Sequence, residues 1–273
     1  MDLQQLDLAL KQLSPQGTGA PSMATWRPQF KIHGFDQIPS TNAQVWQLID
    51  TGAPSGTVAI AASQTAGRGQ WGRQWQSPRG GAYFSLALAP NVTADQATVL
   101  TLASAWGVAQ SLNALDIPVR LKWPNDLILC GRKLGGILTE SRLVAGRIAW
   151  VVVGVGLNWS NRVPDRAIGL KSFLMATDQP RIASLERLVA VTLQGIVHGY
   201  HQYQTIETNA FIRAYERLLT NRGQRVTAAD GHLGEVVGVS SSGALRIRRT
   251  TESTGSANEI EYQPGEIALG YNV

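Results

Sequence analysis

The hydrophobic pattern along this chain changes period several times, and each change predicts a new element. "GTVAIAAS" (56–63) and "AYFSLALA" (82–89) are short apolar runs flanked by turn residues, and they read as strands. "TADQATVLTLASAWGVAQSLNALD" (93–116) repeats at helical spacing with apolar residues on most faces. It predicts a long, well-buried helix opened by a Thr93–Gln96 capping box. Four strand patterns follow at 119–123, 126–130, 133–141 and 147–158, with "GR" and "VAG" as hairpin-like connections. Shorter helices are expected over 41–52, where Thr41 and Gln44 form a capping-box pair and Gly52 ends the run, and over about 184–203 and 207–220. Before Ser40, the spacing of Pro15, Gly17, Gly19, Pro21 and Pro28 leaves room only for a helix near Leu6–Leu13. Beyond Gly223 short β-type runs alternate with Gly, Asp and Ser turns, the texture of a small β-barrel module. The expected division is an N-terminal extension (1–37), a main domain (38–221) and a C-terminal β domain (222–273).

Composition adds two constraints. With 44% hydrophobic and 16% charged residues, a sizeable core can be buried and long charged tails are not expected. No fixed-period repeat or low-complexity tract is present. The net charge of +5 is uneven: residues 40–160 hold nine Arg or Lys against five Asp or Glu, whereas 221–273 hold five against six. That distribution favours a focused anion site over a general nucleic-acid surface. Cys130, the single cysteine, lies in "LILCGRKL" and reads as a small buried hydrophobe in a reducing compartment. The N-terminus lacks a positive segment followed by an apolar run, and the longest apolar stretch, "IAWVVVGVGL", has ten residues. Neither a signal peptide nor a membrane span is expected, and the location expected is cytoplasmic.

The chemistry concentrates in three segments. The first, "TAGRGQWGRQW" (65–75), has glycines at 67, 69 and 72 in G-x-G-x-x-G order. A dinucleotide fingerprint needs a helix next, but "RQWQSPRGG" follows; a P-loop needs Lys–Ser/Thr where Arg73–Gln74 stands. A kinase loop needs a lysine-bearing strand that "AYFSLALA" does not supply. What remains is a loop whose backbone N–H groups approach an anion, with Arg68, Arg73 and Arg79 adding charge and Trp71 and Trp75 excluding water or stacking on a ring; the bland alternative is an exposed hairpin with solvated arginines.

The second segment, "KWPNDLILCGRKLGGILTE" (122–140), places Lys122, Asn125, Asp126, Arg132 and Lys133 around two strands. A lysine in an apolar strand needs a counter-charge or a ligand. If Lys133 and Arg68 share a cleft, a substrate with two negative groups is favoured; Asp126 then orients a lysine or binds a metal, or is only a turn residue. The third, "VGVGLNWSN", has Gly154 and Gly156 inside a strand, which marks a bulge or a close approach, and Asn158 either reads a base edge or caps the strand. His33, His198, His201 and His232 share no metal-ligand spacing; His198 and His201 are expected on a helix surface, and no metal ligand set is assigned.

Together, "STN" (40–42), "QTAGRGQWGRQWQSP" (64–78), "KWPNDL" (122–127), "RKLGGIL" (132–138) and "VGVGLN" (153–158) resemble the biotin–protein ligase family in order and spacing, over about residues 38–270. The resemblance implies an α+β fold: a central mixed β-sheet with flanking helices, like that of class II aminoacyl-tRNA synthetases and biotin ligases, plus a C-terminal SH3-like β-barrel. It implies a ligase with ATP and Mg²⁺ that makes biotinyl-AMP from biotin and transfers biotin to a lysine of the biotin carboxyl carrier protein of acetyl-CoA carboxylase. A homodimer is compatible with it.

Carried over by position, Ser40, Thr41, Asn42 and Gln64 resemble the residues near biotin's ureido head or lining its pocket. Arg68 and Lys133 resemble the cations at the carboxylate and α-phosphate, with Gly69, Gln70, Gly135 and Gly136 beside the biotin site. Arg73, Trp75, Asn125, Gly156 and Asn158 fall on the ATP side, and Asp126 is expected to assist the second step. Gln70 departs from the family's G-R-G-R pattern, which weakens the expected hold on the adenylate. Family members that repress transcription carry an N-terminal helix-turn-helix domain; residues before Ser40 do not read as one, so DNA is not an expected partner. The alternatives weighed are a lipoate-type acyl ligase and a non-catalytic nucleic-acid-binding module.

Overall fold

The computed structural model describes residues 1–13, 29–177, 181–227, 233–249, 258–267 and 269–270. Pro15, Gly17, Gly19, Pro21, Pro28 and His232 lie outside them. In chain order the elements are α1 (Leu3–Leu13), β1 (Lys31–Ile38), α2 (Thr41–Asp50), β2 (Thr57–Gln64), β3 (Ala82–Leu88), β4 (Val92–Thr93), α3 (Ala97–Asn113), β5 (Arg120–Lys122), β6 (Asp126–Leu129), β7 (Arg132–Val144) and β8 (Arg147–Leu157). There follow α4 (Leu170–Ala176), α5 (Leu185–Thr205), α6 (Thr208–Glu216), β9 (Arg225–Thr227), β10 (Leu233–Val239), β11 (Leu245–Arg249) and β12 (Glu259–Tyr262).

The central sheet has eight strands in the order β1-β2-β3-β8-β7-β6-β5, with β4 paired to β8. β1 and β2 are parallel and the remaining pairs antiparallel, so the sheet is mixed. Strand alternation sends Val58, Ile60, Phe84, Leu86, Val153 and Val155 into the main core against α3 and α5. The opposite face carries small residues, and α2 covers part of it through Val45 and Ile49 against Ala59, Ala87 and Val152. α3 and α5 approach closely at Gly107, where a Cβ would come within 2.0 Å of the Gly195 carbonyl. The last four strands form a small antiparallel sheet, β12-β11-β10-β9, whose Val236, Leu245 and Ile247 join the main core.

The Thr93–Gln96 capping box is present, although the first turn after it is a 3-10 helix. The other expected box is not. Ser40 is the N-cap of α2 without a side-chain bond, and the Thr41 N–H donates instead to Gln64 Oε1 on β2 at 2.8 Å. A tertiary neighbour satisfies the helix start, so no local box is required. β1 and α4 fall where no element was expected. The two hairpins joining β6 to β7 and β7 to β8 turn on Cys130–Gly131 and Ala145–Gly146, all at positive φ, as two-residue hairpin loops require. Cys130 is therefore exposed, not buried in the core, because the apolar run ends at Leu129 and the chain reverses there. His198 also differs from expectation: it is half-buried and stacks on Trp106 at 5.6 Å, with burial holding its pKa below the ordinary value.

Candidate active site

On the sheet face beyond the N-terminus of α2 lies a cleft of about 820 Å³. β8 carries Gly154 and Gly156 along its floor and so makes room for two side chains that shape it: a Cβ at Gly154 would meet Asn42 Oδ1 at 2.0 Å, and one at Gly156 would meet Trp75 Nε1 at 2.4 Å. The sequence-selected residues Ser40, Thr41, Asn42, Gln64, Arg68, Gly69, Gln70, Arg73, Trp75, Asn125, Asp126, Lys133, Gly136, Gly156 and Asn158 all line it. Gly135 does not; it packs against β8, where a Cβ would meet the Gly156 carbonyl at 2.4 Å.

One end of the cleft is neutral and polar. The Gln64 amide accepts from Thr41 and donates to Ser77 Oγ at 2.8 Å, and Ser85 Oγ lies 2.7 Å from Thr41 Oγ1 and 2.6 Å from Asn42 Oδ1. Every member is buried or half-buried, so its rotamers are set by hydrogen bonds before any ligand arrives. Ser85 is not among the expected site residues, although a lone serine within the apolar run "AYFSLALA" is the available signal.

The other end is cationic. A register shift between β6 and β7 pairs Leu127 with Gly135 but Ile128 with Lys133, and such a bulge re-aims a side chain. Lys133 Nζ reaches Asp126 Oδ1 at 2.6 Å and sits 5.3 Å from the Trp75 ring centre. Its backbone is clamped by the loop after β8: the Lys133 N–H donates to the Arg166 carbonyl and the Ile168 N–H to the Lys133 carbonyl, each at 3.0 Å. Asn158 assists that clamp, donating to the Lys133 carbonyl at 3.4 Å and accepting from Asn161 at 3.0 Å. Asn158 thus ties the end of β8 to β7 while also lining the cleft. Arg162 and Arg166 also face the cleft, as do Gly265, Ile267 and Leu269 of the C-terminal segment.

The glycine-rich segment is a small hairpin. The Trp75 N–H donates to the Gly67 carbonyl, the Gly69 N–H to Arg73 and the Arg73 N–H to Gln70, around a turn in which Trp71 has φ +59°. The N–H groups of Gly69, Arg73 and Trp75 are spent within the loop and do not contribute to the expected backbone cradle. Arg68 lies 3.2 Å from both oxygens of Glu140 and Arg73 lines the cleft, whereas Arg79 pairs with Asp36 outside it.

Lys122 is 7% exposed, and burial lowers its pKa from 10.5 to about 8, with Asp126 opposing that shift and Lys133 and Arg73 adding to it. Below the lowered value it is charged in native and unfolded chains alike and its burial cost is present in full. Between the two values the native chain loses the proton first, so stability rises with pH there. Lys122→Met should raise the unfolding free energy at about pH 7 by about 1–3 kcal/mol, seen as a higher urea midpoint, and flatten the rise towards about pH 10. Unfolding curves at both pH values check this, and an unchanged slope would contradict it.

Residues 34–158 match the biotin/lipoate A/B protein ligase family. Over that stretch the chain is similar to the ligase family. The matched stretch lies within wider similarities. The bifunctional ligase/repressor BirA of Bacillus spizizenii is 34% identical over 179 residues, 64% of this chain and 54% of that protein. The biotin–[acetyl-CoA-carboxylase] ligase of Mycobacterium tuberculosis is 38% identical over 162 residues, 54% of this chain and 58% of that protein. The chain thus spans little more than half the length of these two curated relatives. A solved structure of the Aquifex aeolicus biotin protein ligase in complex with biotin and ATP superimposes with a TM-score of 0.69 at 26% identity, covering 88% of this chain and 99% of that one.

Proposed function

We propose that this chain activates biotin with ATP and passes the biotinyl group to a lysine of a biotin carboxyl carrier protein. The observation carrying this reading is the meeting of Arg68 and Lys133 in one cleft whose far end is a preset neutral hydrogen-bonding cluster. Such a cleft suits an acid with a polar, uncharged head and an anionic tail. In the first step the biotin carboxylate attacks the α-phosphorus, and the bond to the pyrophosphate oxygen breaks. Two anions must be brought together, so Arg68 and Lys133 offset their repulsion, and Lys133 stabilises the charge that develops on the phosphorus oxygens. Arg73 holds phosphate oxygens, and Ser40, Thr41, Asn42 and Gln64 receive the ureido head. In the second step the carrier's lysine amine attacks the acyl carbon, the C–O bond to AMP breaks, and Asp126 receives or orders the amine's proton.

The names of the Aquifex and Mycobacterium relatives support biotin as the acid. Among the described residues no group of three or more His, Cys, Asp or Glu gathers as a metal cage, and Asp126 and Glu140 are already in ion pairs. Mg²⁺ carried on the nucleotide's phosphates needs no such cage, since it keeps several waters. Among the described residues no helix is long and apolar enough to cross a membrane.

The test is biotin-dependent exchange of labelled pyrophosphate into ATP, with lipoate in parallel. Exchange is expected with biotin alone. Exchange with lipoate alone would move the activity to the other branch of the family, and none with either acid would overturn it.

A further inference from the structure

Arg68 and Lys133 each rest on a carboxylate, but the two carboxylates differ in what else they hold. Asp126 sits one strand from Lys133. Glu140 joins three elements: it projects from β7, accepts the Trp46 indole N–H of α2 at 2.9 Å, and meets Arg68 of the glycine-rich hairpin at 3.2 Å. α2 begins at Thr41 and Asn42, so one carboxylate links the helix bearing the polar cluster to the hairpin over the cleft. Glu140 follows Gly136 and Leu138 at two-residue spacing on β7, and both of those line the cleft.

We propose that Glu140 is a positioning residue that parks Arg68 in the resting site, and that the carboxylate of an entering acid displaces it from the guanidinium. This rests on the function proposed above. Both contacts to Glu140 come from Arg68 Nη2, so a substrate carboxylate that draws Nη2 into a two-point pairing competes with Glu140 for that donor. The side chains of Arg68 and Glu140 are 45% and 25% exposed, so the resting pair is screened and weak enough to exchange. After exchange Glu140 keeps the Trp46 N–H, so it is not left without a partner. Arg68, Leu138 and Glu140 also bound a second cavity of about 590 Å³ beneath the hairpin, which gives the guanidinium room to move.

Glu140→Gln retains an acceptor for Trp46 and removes the competing charge. Dissociation constants of biotin and of biotinol, the alcohol lacking the carboxylate, are measured in parent and variant, alongside trypsin cleavage at Arg68 and Arg73 without ligand. The variant should bind biotin about threefold to fivefold tighter, leave biotinol within about twofold, and be cut faster in the hairpin. Equal shifts for both ligands, or none, overturn the exchange. If the parent binds neither ligand, the biotin reading fails by itself; trypsin then decides, since an unchanged rate overturns the parking and a faster one sustains it.

Discussion

Lys133→Ala should lower biotin-dependent pyrophosphate exchange by about 10²–10³-fold, the usual effect of removing one preorganised charge donor from a reacting centre. The bulge opposite Ile128 and the clamp from Arg166 and Ile168 hold the Lys133 backbone whether or not its ammonium is present. The fold should therefore survive. Removing Nζ leaves Asp126 at 15% side-chain exposure still facing the charge of Lys122, and the stability cost should stay near about 1 kcal/mol. Exchange assays and thermal midpoints on the same preparation separate the two effects. Near-parental exchange from folded Lys133→Ala would remove this lysine from the chemistry.

Gly154→Ala should act at the other end of the cleft. The new Cβ would lie 2.0 Å from Asn42 Oδ1, and Asn42 is only 3% exposed. Asn42 is also bonded to Ser85 and to the Leu138 carbonyl, so it cannot swing clear without breaking those bonds. Loss of that arrangement should weaken biotin binding by about 10–100-fold, the worth of one or two buried hydrogen bonds. Overpacking should cost about 1–3 kcal/mol of stability. Calorimetric titration with biotin and a denaturant series would measure both, and parental affinity would show that the Asn42–Ser85 cluster does not form the ligand's seat.

The sequence and the structure agree where the signal is local and repeated. The strands around 56–63, 82–89 and 147–158, the buried helix after Thr93 and the glycine interruptions of β8 were all legible, because period and punctuation are properties of neighbouring residues. β1 was not: "KIHGFDQI" is a mostly polar, half-exposed edge strand that carries little alternation. The helix at α2 is legible but its Thr41–Gln44 box does not form, because the partner of the Thr41 N–H, Gln64, is distant in sequence and near only after folding. Cys130 was misplaced since its apolar neighbours conceal a two-residue reversal, although a following glycine was the available sign. In the site, the charged and glycine residues announced themselves by type. Glu140 and Ser85 needed the strand alternation on β7 and β3 to be carried through to the cleft face. The glycine-rich hairpin is legible from composition, but the pairing of its Gly69, Arg73 and Trp75 amides within the loop appears only once the chain is folded.

The reversal at Cys130 also has an experimental use. The chain's single cysteine stands exposed at a hairpin tip, just before the strand that opens with Arg132 and Lys133. A thiol-reactive dye would therefore attach at one point, outside the cleft lining and on the same rigid hairpin as the central cation. Binding could then be followed optically in the otherwise unaltered protein, without mutating a cysteine in or out.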